Sequence, residues 1–315
     1  MGKIDFGLQI EPQYGFNYDD IRGIASEAER LDFESLWVSD HFFLTPELAD
    51  TPCLECWTTL AAIARDTSKL RLGAMVASQS YRNPALAAKM AASVDNMSGG
   101  RLNFGIGAGW KEAEYNAYGY SFPSPDTRIR QLNDALEIAK RMWTEDRATY
   151  EGKYYSVKDA ICSPKTVQKP HPPIWIGGTG SFTLKIAARH ADAVNFAWTI
   201  PVPKFKEKLD EFKGYCEARD RDYTAIRKSA GLMITMGKDE DVLKTKLRDR
   251  EARANTPYMQ YLSKQPANLV GTTTQVATRI KEYTALGVDH FILRFHFGEE
   301  IEGMRLFTEK VKPLL

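Results

Sequence analysis

Residues 173–181 read Pro-Ile-Trp-Ile-Gly-Gly-Thr-Gly-Ser, and this stretch decides how the rest of the chain is interpreted. Ile174 to Ile176 is a short apolar run that follows two prolines, which is typical of a buried parallel strand. The glycines permit a sharp turn, and Thr179 and Ser181 can cap a helix that follows. A strand, a glycine turn and a helix N-terminus together direct free amide N–H groups at one point. The stretch therefore predicts an anion-binding turn, with an ordinary βα turn as the alternative.

Short apolar runs alternate with helical periodicity along the whole chain. Besides 174–176, strands are predicted at 4–10, 35–39, 70–77, 102–107, 193–197, 230–236 and 290–295. Helical patterns fall at 21–31, 57–64, 84–97, 129–143, 205–212, 239–255 and 274–286. A polar, tyrosine-rich insertion runs from about Glu145 to Pro172. This order predicts a (β/α)8 TIM barrel with insertion segments, in one domain over residues 1–315, and an open doubly wound sheet is the alternative.

Composition limits the classes of function that the chain can have. It has 315 residues, 43% hydrophobic and 26% charged, which is ordinary for a globular protein. A net charge of +1 with scattered basic residues argues against nucleic acid as a partner. We find no apolar run of membrane-spanning length and no signal-peptide pattern, so we expect a cytoplasmic protein. Cys53 and Cys56 form a lone C-x-x-C pair, for which we expect no metal.

The active site of a TIM barrel lies at the carboxyl ends of its strands. Asp40 and His41 follow the second strand and are the best acid/base candidates, because imidazole titrates near neutrality and a neighbouring carboxylate can fix its tautomer. The alternative is a surface Asp-His pair that caps a loop. Glu11, Trp198 and Arg294 also follow strands, and we assign them to the substrate.

A second glycine-rich strand end is Gly105-Ile106-Gly107-Ala108-Gly109-Trp110. Glycines leave room for a flat ligand against the backbone, and Trp110 could stack on it or form a wall of the pocket. Tight packing within the barrel is the alternative.

Taken together, several motifs resemble the luciferase-like flavin and deazaflavin oxidoreductases. They are Ser39-Asp40-His41, Leu72–Val76, Arg82-Asn83-Pro84, Ser98–Arg101, Gly105–Trp110, Tyr150–Tyr155 and Ile176–Ser181. They cover most of residues 4–200 in the order that the family has them. The similarity is strongest to the subgroup that uses the 8-hydroxy-5-deazaflavin coenzyme F420.

This resemblance implies a cofactor site and a reaction. The phosphate of the coenzyme would lie at Gly177–Ser181, and its ring over a bulge that contains a non-prolyl cis peptide at Met75–Val76. The implied cofactor-binding residues are Asp40, Met75, Val76, Gly107, Ala108, Gly109, Trp110, Gly177, Gly178, Thr179, Gly180 and Ser181. The implied reaction is hydride transfer between F420 and a small organic substrate, with His41 as the acid/base and Asp40 in support. We expect a homodimer.

The chain departs from the family's glucose-6-phosphate dehydrogenases in two places. Those enzymes have a glutamate where this chain has Trp110, and a tryptophan shortly after the histidine where this chain has Leu44. Sugar-phosphate oxidation is therefore not expected, although Glu112 is nearby. The alternatives to the F420 reaction are an FMN-dependent monooxygenase, a barrel isomerase or aldolase, and a non-catalytic flavin-binding relative. The same turn would bind the phosphate of F420 or FMN, and the sequence does not identify the substrate.

Overall fold

The computed structural model describes residues 3–198, 200–254 and 268–315. Eight of the strands in these residues are parallel and close into a barrel. In chain order the strands are β1 Asp5–Ile10, β2 Ser35–Val38, β3 Arg71–Ala74, β4 Ala77–Ser78, β5 Leu102–Gly107, β6 Ala148–Glu151, β7 Ser156–Ala160, β8 Ile174–Gly177, β9 Ala193–Ala197, β10 Arg227–Gly237, β11 Leu269–Thr272 and β12 His290–Arg294.

Barrel closure follows from the strand pairing. The order around the barrel is β12, β1, β2, β3, β5, β8, β9 and β10, and β10 pairs with both β9 and β12. Strands β4 and β11 extend the sheet as parallel partners of β5 and β10. The predicted (β/α)8 TIM barrel is confirmed, and the alternative of an open doubly wound sheet is wrong.

Helices follow most of the barrel strands. They are α1 Tyr18–Arg30, α2 Cys56–Asp66, α3 Pro84–Ser98, α4 Glu112–Ala117, α5 Pro125–Thr144, α6 Ser181–His190, α7 Val202–Glu217, α8 Glu240–Ala254, α9 Thr273–Thr284 and α10 Glu300–Leu306. Their boundaries reflect local chemistry. Helix α3, for example, begins with Pro84 behind the Asn83 cap and ends at Gly99, whose φ of +68° suits glycine.

Two tryptophans fill the middle of the barrel. The rings of Trp37 on β2 and Trp175 on β8 meet edge to face with centroids 4.7 Å apart. Met75, Ala193 and Ile292 pack with them as a buried cluster separate from the main core. A second, larger core lies between the strands and the helices. Because the tryptophan pair occupies the middle, open space in the barrel is confined to its ends.

The third strand differs from its prediction in length. The sequence predicts one strand over 70–77, whereas β3 ends at Ala74 and β4 resumes at Ala77. The peptide bond between Met75 and Val76 is cis, which confirms the expected bulge. A second non-prolyl cis bond joins Ala197 and Trp198, which the sequence did not indicate.

The predicted insertion contains an antiparallel hairpin. Strands β6 and β7 pair in this segment, and the hydroxyl of Tyr150 donates to Asp134 of α5 at 2.9 Å. The hydroxyl of Tyr155 donates to Gln79 at 3.1 Å, so the insertion also braces the segment after β4. Among the helices described, none is long and apolar enough to cross a bilayer.

Candidate functional site

A cavity of about 460 Å³ opens at the carboxyl ends of the barrel strands. The predicted site residues that line it are Glu11, Asp40, His41, Met75, Val76, Gly107, Ala108, Gly109, Trp110, Gly177, Gly178, Thr179, Gly180 and Trp198. Ser181 and Arg294 are not among its lining residues. The glycine turn, the strand-three bulge and the histidine therefore meet in one space.

The turn after β8 has backbone features of an anion site. Gly178 adopts a φ of +121°, a conformation that L side chains rarely adopt. The amide of Leu184 is bonded within α6, to the carbonyl of Gly180 at 2.9 Å. The amides of residues 181–183, one turn earlier, have no partner inside the helix and are available to an anion. This part of the cavity fits a cofactor phosphate.

Capping of α6 differs from the sequence prediction. The N-cap residue is Gly180, and no side chain caps the helix. The side chain of Ser181 instead lies close enough to Glu211 of α7 to help lower the pKa of that carboxyl, and Ser181 does not line the cavity. Thr183, which the sequence analysis did not single out, lines the cavity in its place.

The glycines at the end of β5 make room for the bulge. A β-carbon at Gly105 would lie 1.8 Å from the carbonyl oxygen of Ala74, and one at Gly107 would lie 2.7 Å from Cγ2 of Val76. One at Gly177 would lie 3.0 Å from Cγ1 of Val76. Tight packing therefore explains these glycines at least as well as contact with a ligand.

Glu114 of α4 holds the imidazole of His41. His41 Nδ1 lies 2.9 Å from Oε2 of Glu114, which is fully buried. The same carboxylate accepts bonds from the amide of Phe42 at 2.8 Å, the hydroxyl of Tyr81 at 2.7 Å and the ammonium of Lys111 at 3.1 Å. Burial raises the pKa of Glu114, but these hydrogen bonds, led by that of His41, outweigh it and lower the pKa to about 2.

The ionised state of Glu114 fixes the tautomer of His41. An ionised carboxylate can only accept hydrogen bonds, so Nδ1 of His41 must carry a proton and donate it. Nε2 is then the ring nitrogen available to exchange a proton with a ligand in the cavity. The chemistry predicted for His41 therefore has the geometry that it requires.

Asp40 has a different role from the one first considered. The guanidinium of Arg82 bonds both of its oxygens, at 2.8 and 2.9 Å, and the amide of Ser78 donates to it at 3.1 Å. Asp40 thus ties the end of β2 to β4 and to the start of α3. The carboxylate that orients the imidazole is Glu114, and the interpretation that gave this task to Asp40 is wrong.

Glu11 and Arg294 form an ion pair beside the cavity. Arg294 also lies over the ring of Tyr14, 4.8 Å from its centroid. Burial raises the pKa of Glu11, and Arg294 opposes that shift. Arg294 therefore contacts Glu11, which lines the cavity, and does not line the cavity itself. The sequence analysis had assigned Arg294 to the substrate.

Trp110 forms a wall on the solvent side of the cavity. Its side chain is 71% exposed, and its ring meets that of His41 edge to face at 5.7 Å. The sequence analysis missed Gln9, Tyr81 and Asn195, which also line the cavity. Gln9 could have been found, because it precedes Glu11 by two residues and so shares its face of β1.

Fold and site together define a (β/α)8 barrel with a glycine turn and a carboxylate-held histidine around one cavity. The model of the luciferase-like monooxygenase family matches residues 5–268, and the chain belongs to that family. Its members are oxidoreductases that include F420-dependent dehydrogenases and FMN-dependent monooxygenases.

Individual relatives represent both cofactor types. The chain is 29% identical to the FMNH2-dependent dimethylsulfone monooxygenase of Pseudomonas putida, across 98% of this chain and 90% of that protein. It is 24% identical to the F420-dependent glucose-6-phosphate dehydrogenase of Amycolatopsis mediterranei, across 95% of each. Among solved structures, an F420-dependent secondary alcohol dehydrogenase superposes with a TM-score of 0.83 at 19% identity, across the full length of both chains. That likeness concerns the fold.

Proposed function

We propose that the protein transfers a hydride between coenzyme F420 and a small organic substrate, with His41 as the acid/base. The observation that carries this proposal is the shared cavity, in which His41, held by Glu114, faces the same space as the glycine turn. When bound, F420 supplies two-electron hydride chemistry, so the protein has only to align the reactants and manage one proton.

Each group of residues has a separate task in this proposal. The amides at the start of α6 would hold the cofactor phosphate, and the bulge at Met75–Val76 would support the ring. In alcohol oxidation, Nε2 of His41 would accept the hydroxyl proton, and bound F420 would supply the acceptor for the hydride of the carbinol carbon. In carbonyl reduction, the imidazolium returns that proton to the oxygen. The anionic Glu114 stabilises the imidazolium through Nδ1.

An FMN-dependent monooxygenase is the second candidate function. The observation in its favour is the match over 98% of the chain to a relative that is named FMNH2-dependent. The glycine turn does not discriminate, because its amides recognise a phosphate and not a ring.

Cofactor titration tests the two candidates directly. We expect F420 to bind more tightly than FMN when each is titrated into the protein and followed by fluorescence. We also expect the F420H2-loaded protein to be stable in air. Stoichiometric FMN in the purified protein, or rapid oxygen consumption with FMNH2, would favour the monooxygenase instead.

A further inference from the structure

The charged side chains around the cavity occur as internal ion pairs. Asp40 pairs with Arg82 and Glu114 with Lys111, with N–O distances of 2.8 and 3.1 Å, and Glu11 pairs with Arg294. Among the residues that the structure describes, every Asp, Glu, Lys or Arg in the cavity wall belongs to one of these pairs. The Asp, Glu, Lys and Arg side chains of the described wall therefore have no net charge to offer a ligand.

The cations of two pairs are already bonded to protein oxygens. Arg82 bonds both oxygens of Asp40 and contacts Glu55 as well. The ammonium of Lys111 bonds the carbonyl of Leu44 at 2.9 Å and that of Phe43, in addition to Glu114. A lysine has three donors, so Lys111 has none left for a substrate anion.

The third pair would have to be broken before it could bind an anion. Both Glu11 and Arg294 are largely buried, with side-chain exposures of 13% and 18%. An anionic substrate that approached Arg294 would compete with Glu11 and lie close to that carboxylate. Separating a buried pair leaves a charge without compensation, which is far more costly than at the surface.

One neutral polar group in the wall does point to a ligand. Gln9 lines the cavity, is 3% exposed, and its Oε1 has no hydrogen-bond partner in the described protein. Buried amides are nearly always hydrogen-bonded, and the cavity is the open space beside Gln9 from which a partner could come. Its amide can both donate and accept.

We infer that the substrate is an uncharged molecule with a hydrogen-bonding oxygen, which the amide of Gln9 recognises inside a charge-balanced pocket. This inference rests on the proposed function, since it concerns the substrate half of the same cavity. It excludes carboxylates, sulfonates and phosphate esters as preferred substrates. Among the residues that the structure describes, the amides that begin α6 are the group suited to an anion, and they would take the cofactor phosphate.

Matched probe pairs of equal size and different charge test the inference. We would measure the binding of dimethyl sulfone against methanesulfonate, and of acetone against acetate, to the F420-loaded protein by ligand-observed NMR. We expect the neutral member of each pair to bind at least about tenfold more tightly, because the anion loses hydration without gaining a free cation. A neutral probe that does not outcompete its anionic partner overturns the inference.

Substitution of Glu11 should remove most of this selectivity. Glu11→Gln releases Arg294, so methanesulfonate should bind about tenfold more tightly than it does to the wild type. The double variant Glu11→Gln/Arg294→Gln is the matched control, and it should prefer dimethyl sulfone again. Unchanged methanesulfonate affinity in a folded Glu11→Gln variant would contradict the role given to this pair.

A third variant tests the contribution of the side-chain amide of Gln9. Gln9→Leu keeps the approximate volume and removes the hydrogen bonds, so dimethyl sulfone should bind about tenfold less tightly. Wild-type affinity in this variant would remove Gln9 from the inference. F420 titration of the same samples reports on the proposed function independently. A protein that binds F420 and yet prefers anions would keep that function and lose this inference.

Discussion

The barrel contains a histidine–glutamate pair at each of its ends, and the two pairs differ in how much of the imidazole is already bonded. At the carboxyl ends of the strands, His41 bonds Glu114 through Nδ1 and is 18% exposed on its side chain. At the amino ends, His290 begins β12 and faces Glu34, with a side-chain exposure of 0%.

Both ring nitrogens of His290 are engaged. Nδ1 lies 2.9 Å from the hydroxyl of Ser229, and Nε2 lies 3.2 Å from that of Ser35 and 3.3 Å from Glu34. Burial lowers the pKa of His290, although Glu34 opposes the shift. For Glu34, burial raises the pKa, but the bonds from His290 and Ser35, with the charge of Arg227, lower it to about 2.

The comparison shows that residue type does not decide function in this molecule. Both histidines have a glutamate partner whose pKa is about 2. Only His41 also lines the cavity and keeps a ring nitrogen for a ligand. We therefore assign acid/base work to the His41 pair and a structural role to the His290 pair.

The largest effect is expected from His41→Ala. Loss of a positioned acid/base should lower the rate of hydride transfer by about 10²–10⁴-fold. Cofactor affinity should change much less, because the phosphate and ring are held by other strands. Single-turnover deazaflavin absorbance measures the rate, and fluorescence titration of the same samples with F420 measures the affinity. If His41→Ala kept the wild-type rate, His41 would only line the cavity and would not act as the acid/base.

Replacement of Glu114, the partner of His41, should have the next largest effect on the rate. Glu114→Gln removes the charge that stabilises the imidazolium and frees the ring to turn, so the rate should fall about 10–10²-fold. Because the pKa of Glu114 is about 2, this carboxylate stays ionised across the assay range. Any dependence of the rate on pH near neutrality therefore comes from another group. The control is Glu112→Gln, an exposed glutamate of the same helix, which should keep the wild-type rate. Equal losses in the two variants would contradict the pairing.

A third variant separates cofactor binding from acid/base work at the same end of the barrel. In Gly178→Val, a side chain would have to adopt a φ of +121° and would lie 3.3 Å from Thr183. We expect F420 to bind at least about tenfold less tightly, while the protein still folds. Gly214→Ala on α7 is the control, since a β-carbon there would meet nothing within 4 Å and the residue does not line the cavity, and fluorescence titration should find normal affinity. Normal affinity in Gly178→Val would place the phosphate elsewhere.

The smallest effect on rate is expected at the opposite end of the barrel. His290→Gln leaves Ser35, Ser229 and Glu34 with fewer bonds, and it should lower the free energy of unfolding by about 1–3 kcal/mol. The rate should stay within about twofold of wild type. Urea unfolding and turnover, measured on the same sample, check both expectations. A large loss of rate with unchanged stability would contradict the structural role assigned to the His290 pair.

Stability of the same variant should also depend on pH in a defined direction. The pKa of His290 is lowered from 6.5 in the folded protein, so the folded state binds fewer protons than the unfolded state. This contribution is present above pH 6.5 and is lost as the pH falls through the folded pKa. The difference in unfolding free energy between wild type and His290→Gln should therefore shrink from pH 7 to pH 5. A constant difference would show that His290 titrates alike in both states.

Local patterns made much of the fold predictable. The apolar runs and helical periodicity located all eight barrel strands, because each records a face that must be buried. The chain order of those strands then favoured a barrel. The patterns missed short or irregular elements, among them the six residues of α4, the hairpin at β6 and β7, strand β11, helix α10 and the interruption after Ala74.

The site was predictable only in part. His41 and the glycine turn could be found because a barrel places every strand end at one face. Glu114 could not, because it lies 73 residues from His41 along the chain and follows no strand directly. The nearer carboxylate, Asp40, was the natural candidate, and only the position of Arg82 shows that it is already engaged.

The sequence by itself determined the barrel, the glycine turn and the histidine, since these depend on periodicity and turn chemistry within a few residues. Tertiary structure alone decided which carboxylate holds which cation or imidazole, and hence that His41 is open to a ligand while His290 is not. The physical reason is that closure of the barrel brings together groups remote in sequence. Their burial then gives each hydrogen bond and ion pair a strength that no local pattern encodes.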